Sequence, residues 1–163
     1  MRTNDIGPTL DRLFSELVNG ASKSGAFILN SGDAGMLGSL EKISAADASR
    51  SANGGATLAA HVQHVRYGLS LMNRWANGGG NPFADATWDE AWKLSTVDAA
   101  EWDEIRQGLR QETADWLQAL KTPREIGDIE LSGMIGSIAH LAYHLGAIRQ
   151  INKESRGPKE GAF

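Results

Sequence analysis

Apolar residues recur at helical spacing along four stretches of the chain, and polar or glycine-rich connectors separate these stretches. The first stretch, residues 9–18, has the i, i+3, i+4, i+7 spacing of an amphipathic helix. Similar patterns cover residues 56–76, 98–120 and 132–152. Period-two alternation is not sustained anywhere, so few stretches are typical of strands. The pattern predicts an all-α fold, a four-helix bundle with at least one long crossover connection, as a single domain over residues 1–163.

The connectors are less regular. Gly32, Gly35 and Gly38 argue against a regular helix around them, whereas residues 40–48 are predicted to form a short helix. Residues 27–29 either continue the first helix or form a packed connector, and the sequence leaves both open. Residues 81–95 contain three large aromatic side chains and are predicted to form an ordered loop that caps the end of the bundle.

Composition and charge exclude several classes of function. The 163 residues carry a formal net charge of −4, which gives no basic surface for nucleic acid. No run approaches the roughly 18 consecutive apolar residues of a membrane span, so we expect no membrane partner and a cytoplasmic location. Cysteine is absent, which excludes disulfides, thiolate zinc sites and a cysteine nucleophile.

The four histidines fall in two clusters and occur nowhere else: His61 with His64, and His140 with His144. Residues three or four apart lie on one side of a helix, so each pair can point into the same space between helices. Imidazole is a common protein ligand for divalent transition metals. The spacing therefore indicates a metal site inside a helical bundle, and the alternative is hydrogen-bonded core histidines.

The number of ligands decides what such a site can do. His64, His140 and His144 alone would leave open positions for water or substrate, as in catalytic sites. His61 as a fourth ligand would close the site and make it structural, but we expect His61 to lie beside the ligands or on the surface. Neither histidine pair matches a known zincin or di-iron spacing, because Leu141 follows His140 and no Glu stands three residues before any histidine.

The predicted fourth helix has two apolar sides. One is a packing stripe, and the other carries the histidine pair together with small residues. The stripe consists of Leu131, Ile135, Ile138, Ala142 and Leu145. Four polar side chains lie within about a turn of the histidines, and we expect each to be a surface or packing residue rather than a substrate ligand. They are Arg66, Tyr67, Tyr143 and Arg149.

The segments around the two histidine pairs, residues 57–65 and 138–150, resemble those of the DinB/YfiT-like superfamily. The resemblance implies a four-helix bundle that binds one divalent ion, often nickel or zinc, through three histidines. The superfamily pattern maps these ligands to His64, His140 and His144. The chain departs from the pattern in its longer first connector and in the additional His61.

The same resemblance implies a range of functions. Some members are transferases that use low-molecular-weight thiols, others are described as metal-dependent hydrolases, and homodimers are common. We therefore expect a small-molecule substrate, with a thiol as one candidate cosubstrate, and a homodimer. The alternative is a non-enzymatic metal-binding or dimeric stress-associated bundle whose site is structural or vestigial. The sequence assigns no catalytic residue.

Overall fold

The computed structural model describes residues 2–23 and 25–159, and this part of the chain is helical without any β-strand. It contains seven α-helices and two short 3-10 turns, which confirms the all-α prediction. The predicted domain limits, residues 1 and 163, lie outside the described residues. The helices are α1 (Thr3–Asn19), α2 (Gly35–Leu40), α3 (Ala45–Ala48), α4 (Leu58–Ala76), α5 (Trp88–Trp92), α6 (Ala99–Lys121) and α7 (Asp128–Ile151).

Four long helices, α1, α4, α6 and α7, correspond to the four predicted helical stretches. Both α6 and α7 pack against α1 and against α4, so one hydrophobic core lies between them. Each helix contributes large side chains that are almost completely buried. These include Phe14 and Leu17 from α1, Leu58 and Val62 from α4, Leu109 and Trp116 from α6, and Leu141 and Leu145 from α7.

Helix α1 begins at Thr3, about two turns before the predicted start at residue 9. Pro8 therefore lies inside the helix. The extra turns are held by a tertiary contact: Thr3 Oγ1 donates to the carbonyl of Thr122 at 2.9 Å and accepts the Arg124 N–H at 2.8 Å. Apolar periodicity contains no signal for such a contact.

Side-chain caps define the beginnings of α4 and α6. Thr57 Oγ1 accepts the N–H of Ala60 at 3.2 Å. Asp98 accepts the N–H of Glu101 at 2.9 Å, and the Glu101 carboxylate accepts the Asp98 N–H at 2.8 Å. The structure therefore contains the capping box that the spacing of Asp98 and Glu101 indicates.

The connector from α1 to α4 is partly helical. Residues 27–29 neither continue α1 nor form a packed connector: their backbone N–H groups donate to the carboxylate of Glu16, but the side chains of Phe27 and Ile28 are 70% and 42% exposed. The expectation that Gly35 and Gly38 disfavour a helix was wrong, since α2 begins at Gly35. Gly35 has a φ of 67°, and a Cβ there would lie 2.4 Å from Gly20 N. Glycine is required at this position to start the helix against α1.

The sequence predicts that residues 81–95 form a loop at the end of the bundle, and this prediction was wrong. They form a 3-10 turn, Pro82–Ala84, followed by the short helix α5. Tyr67 of α4 holds the start of α5 in place, because its hydroxyl accepts the N–H of Thr87 at 2.9 Å. The side of α5 that carries Trp88 and Trp92 thereby lies against α4, beside the histidines.

The buried side of α7 differs from the predicted packing stripe. Ile135 is 53% exposed, whereas Met134, Leu141 and Ile148 are almost completely buried. The side that faces the core therefore lies between the predicted stripe and the histidine side. Helix α7 is also long and apolar enough, by length and composition alone, to cross a membrane. This is weak evidence, because a core helix passes the same test, and α7 packs against α1 and α4.

Candidate metal centre

The structure brings the two histidine pairs together between α4 and α7. His140 Nε2 lies 3.1 Å from His64 Nε2 and 3.0 Å from His144 Nε2. One ligand nitrogen from each of the three rings lies within 4.8 Å of the other two. His144 is 1% exposed and His64 is 7% exposed, whereas His140 is only partly buried, so the group is shielded from solvent except at His140.

Hydrogen bonding alone does not account for this arrangement. The Nε2 atom of a neutral imidazole carries either one hydrogen or one lone pair. His140 Nε2 can therefore form one well-aligned hydrogen bond, but it has two close nitrogen neighbours. Metal–nitrogen bonds of about 2.0–2.1 Å, at tetrahedral or octahedral angles, place ligand nitrogens about 2.9–3.4 Å apart. The observed spacing fits a shared cation, and the three rings could hold a metal ion.

The protonation state of the rings suits metal binding. Burial, followed by the neighbouring His140 and His61, lowers the pKa of His64 to about 4. Burial, followed by the charges of the three other histidines, lowers the pKa of His144 to about 3. Burial also lowers the pKa of His61 and of His140. All four rings are therefore neutral at pH 7, and a neutral ring is the form that donates a lone pair to a metal.

His61 lies on the other side of His144. Its Nδ1 is 2.9 Å from His144 Nδ1, the nitrogen opposite the one that meets His140. His61 is not a member of the group that could hold a metal. Its position is that of a hydrogen-bond partner for a ligand ring, which is the usual support for a metal-bound histidine.

Aromatic rings enclose His64. Trp92 stacks on it with a centroid distance of 4.3 Å and an interplanar angle of 27°, and Trp88 lies at 5.4 Å. His64 Nδ1 is buried and has no hydrogen-bond partner among the described residues. Stacking therefore takes the place of the hydrogen bond that would normally orient a ligand ring.

The two tryptophans are the site residues that sequence reasoning missed, because it assigned them to packing at the end of the bundle. Trp88 and Trp92 lie four residues apart, at the spacing that puts two side chains on one face of a helix. That spacing was the available signal. It could not show which part of the molecule the face covers, since this depends on the contact between Tyr67 and Thr87.

The four polar side chains near the histidines have other contacts. Arg149 pairs with buried Asp33, and Arg66 lies 3.8 Å from Glu104. Tyr143 is 68% exposed, although its ring and the His144 ring form a T-shaped pair at a centroid distance of 5.0 Å. Tyr67, the fourth of these side chains, accepts the N–H of Thr87 and so positions α5. No Asp or Glu belongs to the histidine group within the described part of the chain.

Comparison with known proteins gives no further assignment. No protein-family model matches the chain, and no curated protein or solved structure is significantly similar to it.

Proposed function

We propose that the chain is a DinB-like four-helix bundle protein that binds one divalent transition metal ion, nickel or zinc, through His64, His140 and His144. The observation that carries the proposal is the approach of His64 Nε2 and His144 Nε2 to His140 Nε2, at 3.1 and 3.0 Å. Neutral rings, burial and the matching positions in the superfamily pattern support the same ligand set.

The proposed activity is the activation of water or of a low-molecular-weight thiol for attack on a small-molecule substrate. A divalent ion held by three neutral ligands supplies Lewis acidity, which lowers the pKa of a bound water to about 7 in favourable cases. The protein contributes three imidazoles that leave the charge of the ion unneutralised, and the indole of Trp92, which stacks on His64. Because the chain has no cysteine, no thiol of its own competes with a thiol cosubstrate.

A second candidate is a structural or vestigial metal site without enzymatic activity. The observation that favours it is the cover over the site: Trp92 stacks on His64, and His61 contacts both His144 and Trp92. An enclosed site with no exchangeable position would stabilise the helices and do no chemistry.

The proposal also includes a homodimer formed through the outer side of α7. The exposed residues from Ser132 to Gln150 on this helix include no charged residue. They include Ile135 at 53% and Tyr143 at 68% exposure, together with small residues such as Gly136. An uncharged helix face of this kind is suited to packing against a second copy.

Metal analysis tests the ligand set. The protein is purified without a histidine tag or added metal, reconstituted separately with Ni²⁺ and Zn²⁺, and compared with His64→Ala, His140→Ala and, as the matched control, His61→Ala. We expect about one equivalent in the wild type and in His61→Ala, and loss of metal in the other two variants. Unchanged metal content in both His64→Ala and His140→Ala would exclude the site.

Cobalt substitution separates the enzymatic proposal from the structural one. The absorption spectrum of the Co²⁺ protein is recorded before and after addition of 2-mercaptoethanol. An open position predicts a saturable change in the spectrum at constant metal content. A spectrum that does not respond to the thiol, or to azide, would favour the structural site.

A further inference from the structure

A small cavity lies between α4, α5 and α7, directly beside the histidine group. Its volume is about 170 Å³, and His140 forms part of its wall. Aliphatic side chains of α4, including Val65 and Met72, form one side, and the aromatic rings of Phe83 and Trp88 form another. The cavity is therefore next to one of the three proposed ligands, but it is separate from the point where the nitrogens meet.

The wall is almost entirely apolar. None of the described residues that line it is an acid, a lysine or an arginine. The hydroxyl of Ser137 already donates to the Met134 carbonyl at 2.7 Å and accepts the Trp116 indole N–H at 3.0 Å. A charged group in this cavity would lose part of its hydration and could gain only the neutral imidazole of His140 as a partner, which is costly.

Glycines create the space. A Cβ on buried Gly68 would lie 3.5 Å from His140 Cε1 and 3.6 Å from Trp88 Cζ3, at ordinary contact distance across the inner end of the cavity. A Cβ on Gly136 of α7 would meet nothing within 4 Å. Both residues line the cavity, and any larger side chain at either position would take up part of its volume.

We propose that this cavity binds an uncharged apolar group of the substrate, of about the size of a benzene ring or a short branched alkyl chain. An apolar protein cavity of about 150 Å³ is large enough to hold benzene, so the volume sets this size. The inference rests on the proposed function, because it assigns the occupant to the substrate of the histidine site. It adds a substrate class, namely an electrophile with an apolar group. The apolar group would occupy the cavity beside His140 while the reacting centre reaches the three-histidine site.

The test uses fluorobenzene as the probe and ¹⁹F NMR line broadening and shift as the readout, with the metal-free and the metal-loaded protein. We expect saturable binding to both forms. In Gly68→Val and Gly136→Leu, which fill the inner end and the outer end of the cavity, binding should weaken at least tenfold. Ala114→Leu is the control, because Ala114 is an exposed residue of α6, does not line the cavity and lies outside the proposed dimer face of α7.

A second measurement tests charge selectivity on the metal-free protein. It compares fluorobenzene with 4-fluorobenzoate, which has the same ring but carries a carboxylate. The inference predicts no detectable binding of this anion at concentrations that saturate with fluorobenzene. Fluorobenzene binding that is absent from the wild type, or that is equally strong in both filled variants, would overturn the inference.

Metal content measured on the same samples keeps the two proposals apart. One equivalent of metal without fluorobenzene binding would overturn the cavity inference and leave the proposed function standing. Fluorobenzene binding in a protein that takes up no metal after reconstitution would overturn the proposed function, and with it the assignment of the cavity to a substrate. If the wild type binds both metal and fluorobenzene, and the filled variants lose only fluorobenzene binding, both proposals are supported.

Discussion

His61 and His144 face each other through their Nδ1 atoms, which are 2.9 Å apart, although 83 residues separate them in the chain. His144 meets His140 through its other ring nitrogen, Nε2, at 3.0 Å. If His144 binds a metal through Nε2, its proton is on Nδ1 and is donated to His61. His61 would then fix the ring orientation and the tautomer of a ligand without touching the metal.

The first prediction is that His61→Ala retains one equivalent of metal but binds it about 10–100-fold more weakly, the usual cost of losing such a hydrogen bond. His61→Gln, whose side-chain oxygen can accept the proton, should recover part of the affinity. Competition with a chromophoric chelator measures both. Loss of metal from His61→Ala as complete as from His64→Ala would instead identify His61 as a fourth ligand.

Spacing within single helices was sufficient to predict that the two histidine pairs could meet between two helices, whereas the choice of His64 over His61 came from the superfamily resemblance. Residues 61 and 64 on one helix, and 140 and 144 on another, must each point to one side, and the structure brings the two sides together. The position of Ile135 was not predictable in the same way, because α7 is apolar on most sides and periodicity does not identify which side meets the core.

Contacts between distant segments explain the other differences. The early start of α1 depends on Thr3 meeting the chain after α6. The cover over the histidines depends on the N–H of Thr87 reaching the hydroxyl of Tyr67. Each consists of a few hydrogen bonds between residues that no periodic pattern relates, so it could only be found in three dimensions.

The second prediction concerns Trp92, which stacks on His64 at 4.3 Å. Trp92→Ala should keep the metal stoichiometry and release the metal to excess chelator several-fold faster, because the apolar shell around a metal site controls solvent access. Stopped-flow metal transfer measures the rate. Trp75→Ala is the control, because this ring packs on Phe83 and makes no ring contact with any of the four histidines. Equal release rates in the wild type and Trp92→Ala would show that the stacked ring does not shield the site.

The third prediction concerns the buried ion pair between α7 and the first connector. Arg149 Nη2 and Nη1 donate to Asp33 Oδ1 and Oδ2 at 2.7 and 2.9 Å, and the Asp33 side chain is 2% exposed. Removal of one partner from a buried pair costs about 3–5 kcal/mol, so Asp33→Ala should lower the free energy of unfolding by this amount. Urea denaturation measures the change.

The exposed pair of Arg74 and Asp85, at 2.8 Å, supplies the control for that experiment. Both of its side chains are about half exposed or more, and such pairs contribute about 0–1 kcal/mol. Asp85→Ala should therefore leave the unfolding midpoint almost unchanged. Similar losses in Asp33→Ala and Asp85→Ala would contradict the structural role assigned to the buried pair.

The fourth prediction uses the carboxylate of Glu16, which accepts the N–H groups of Phe27, Ile28 and Leu29 at 2.9, 2.7 and 2.7 Å. Burial raises the pKa of this carboxyl, but the three backbone donors outweigh burial, and the net pKa lies below its ordinary value of 4.5. The folded state therefore takes up this proton less readily than the unfolded chain. The contribution to stability is complete above pH 4.5 and is lost as the pH falls through the lowered pKa.

Glu16→Gln should accordingly be less stable than the wild type by about 1–3 kcal/mol at neutral pH, because a neutral amide satisfies the three donors poorly. Its stability should also fall less steeply than that of the wild type below pH 4.5. Unfolding free energies over this range test both points. Glu104→Gln is the control, because the Glu104 side chain is 77% exposed. This variant should leave the dependence of stability on pH unchanged. A variant profile parallel to that of the wild type would refute the assignment.

The fifth prediction contrasts two helical glycines. A Cβ on buried Gly7 of α1 would lie 2.3 Å from the backbone carbonyl oxygen of Leu120 in α6, and backbone atoms cannot move aside cheaply. Gly7→Ala should therefore lower the free energy of unfolding by about 1–3 kcal/mol. On exposed Gly146 of α7 a Cβ would meet nothing within 4 Å, so Gly146→Ala should gain up to about 1 kcal/mol from helix propensity. Thermal unfolding of the two variants should show shifts of the unfolding midpoint in opposite directions. A higher midpoint for Gly7→Ala than for the wild type would mean that α1 and α6 are farther apart than the structure places them.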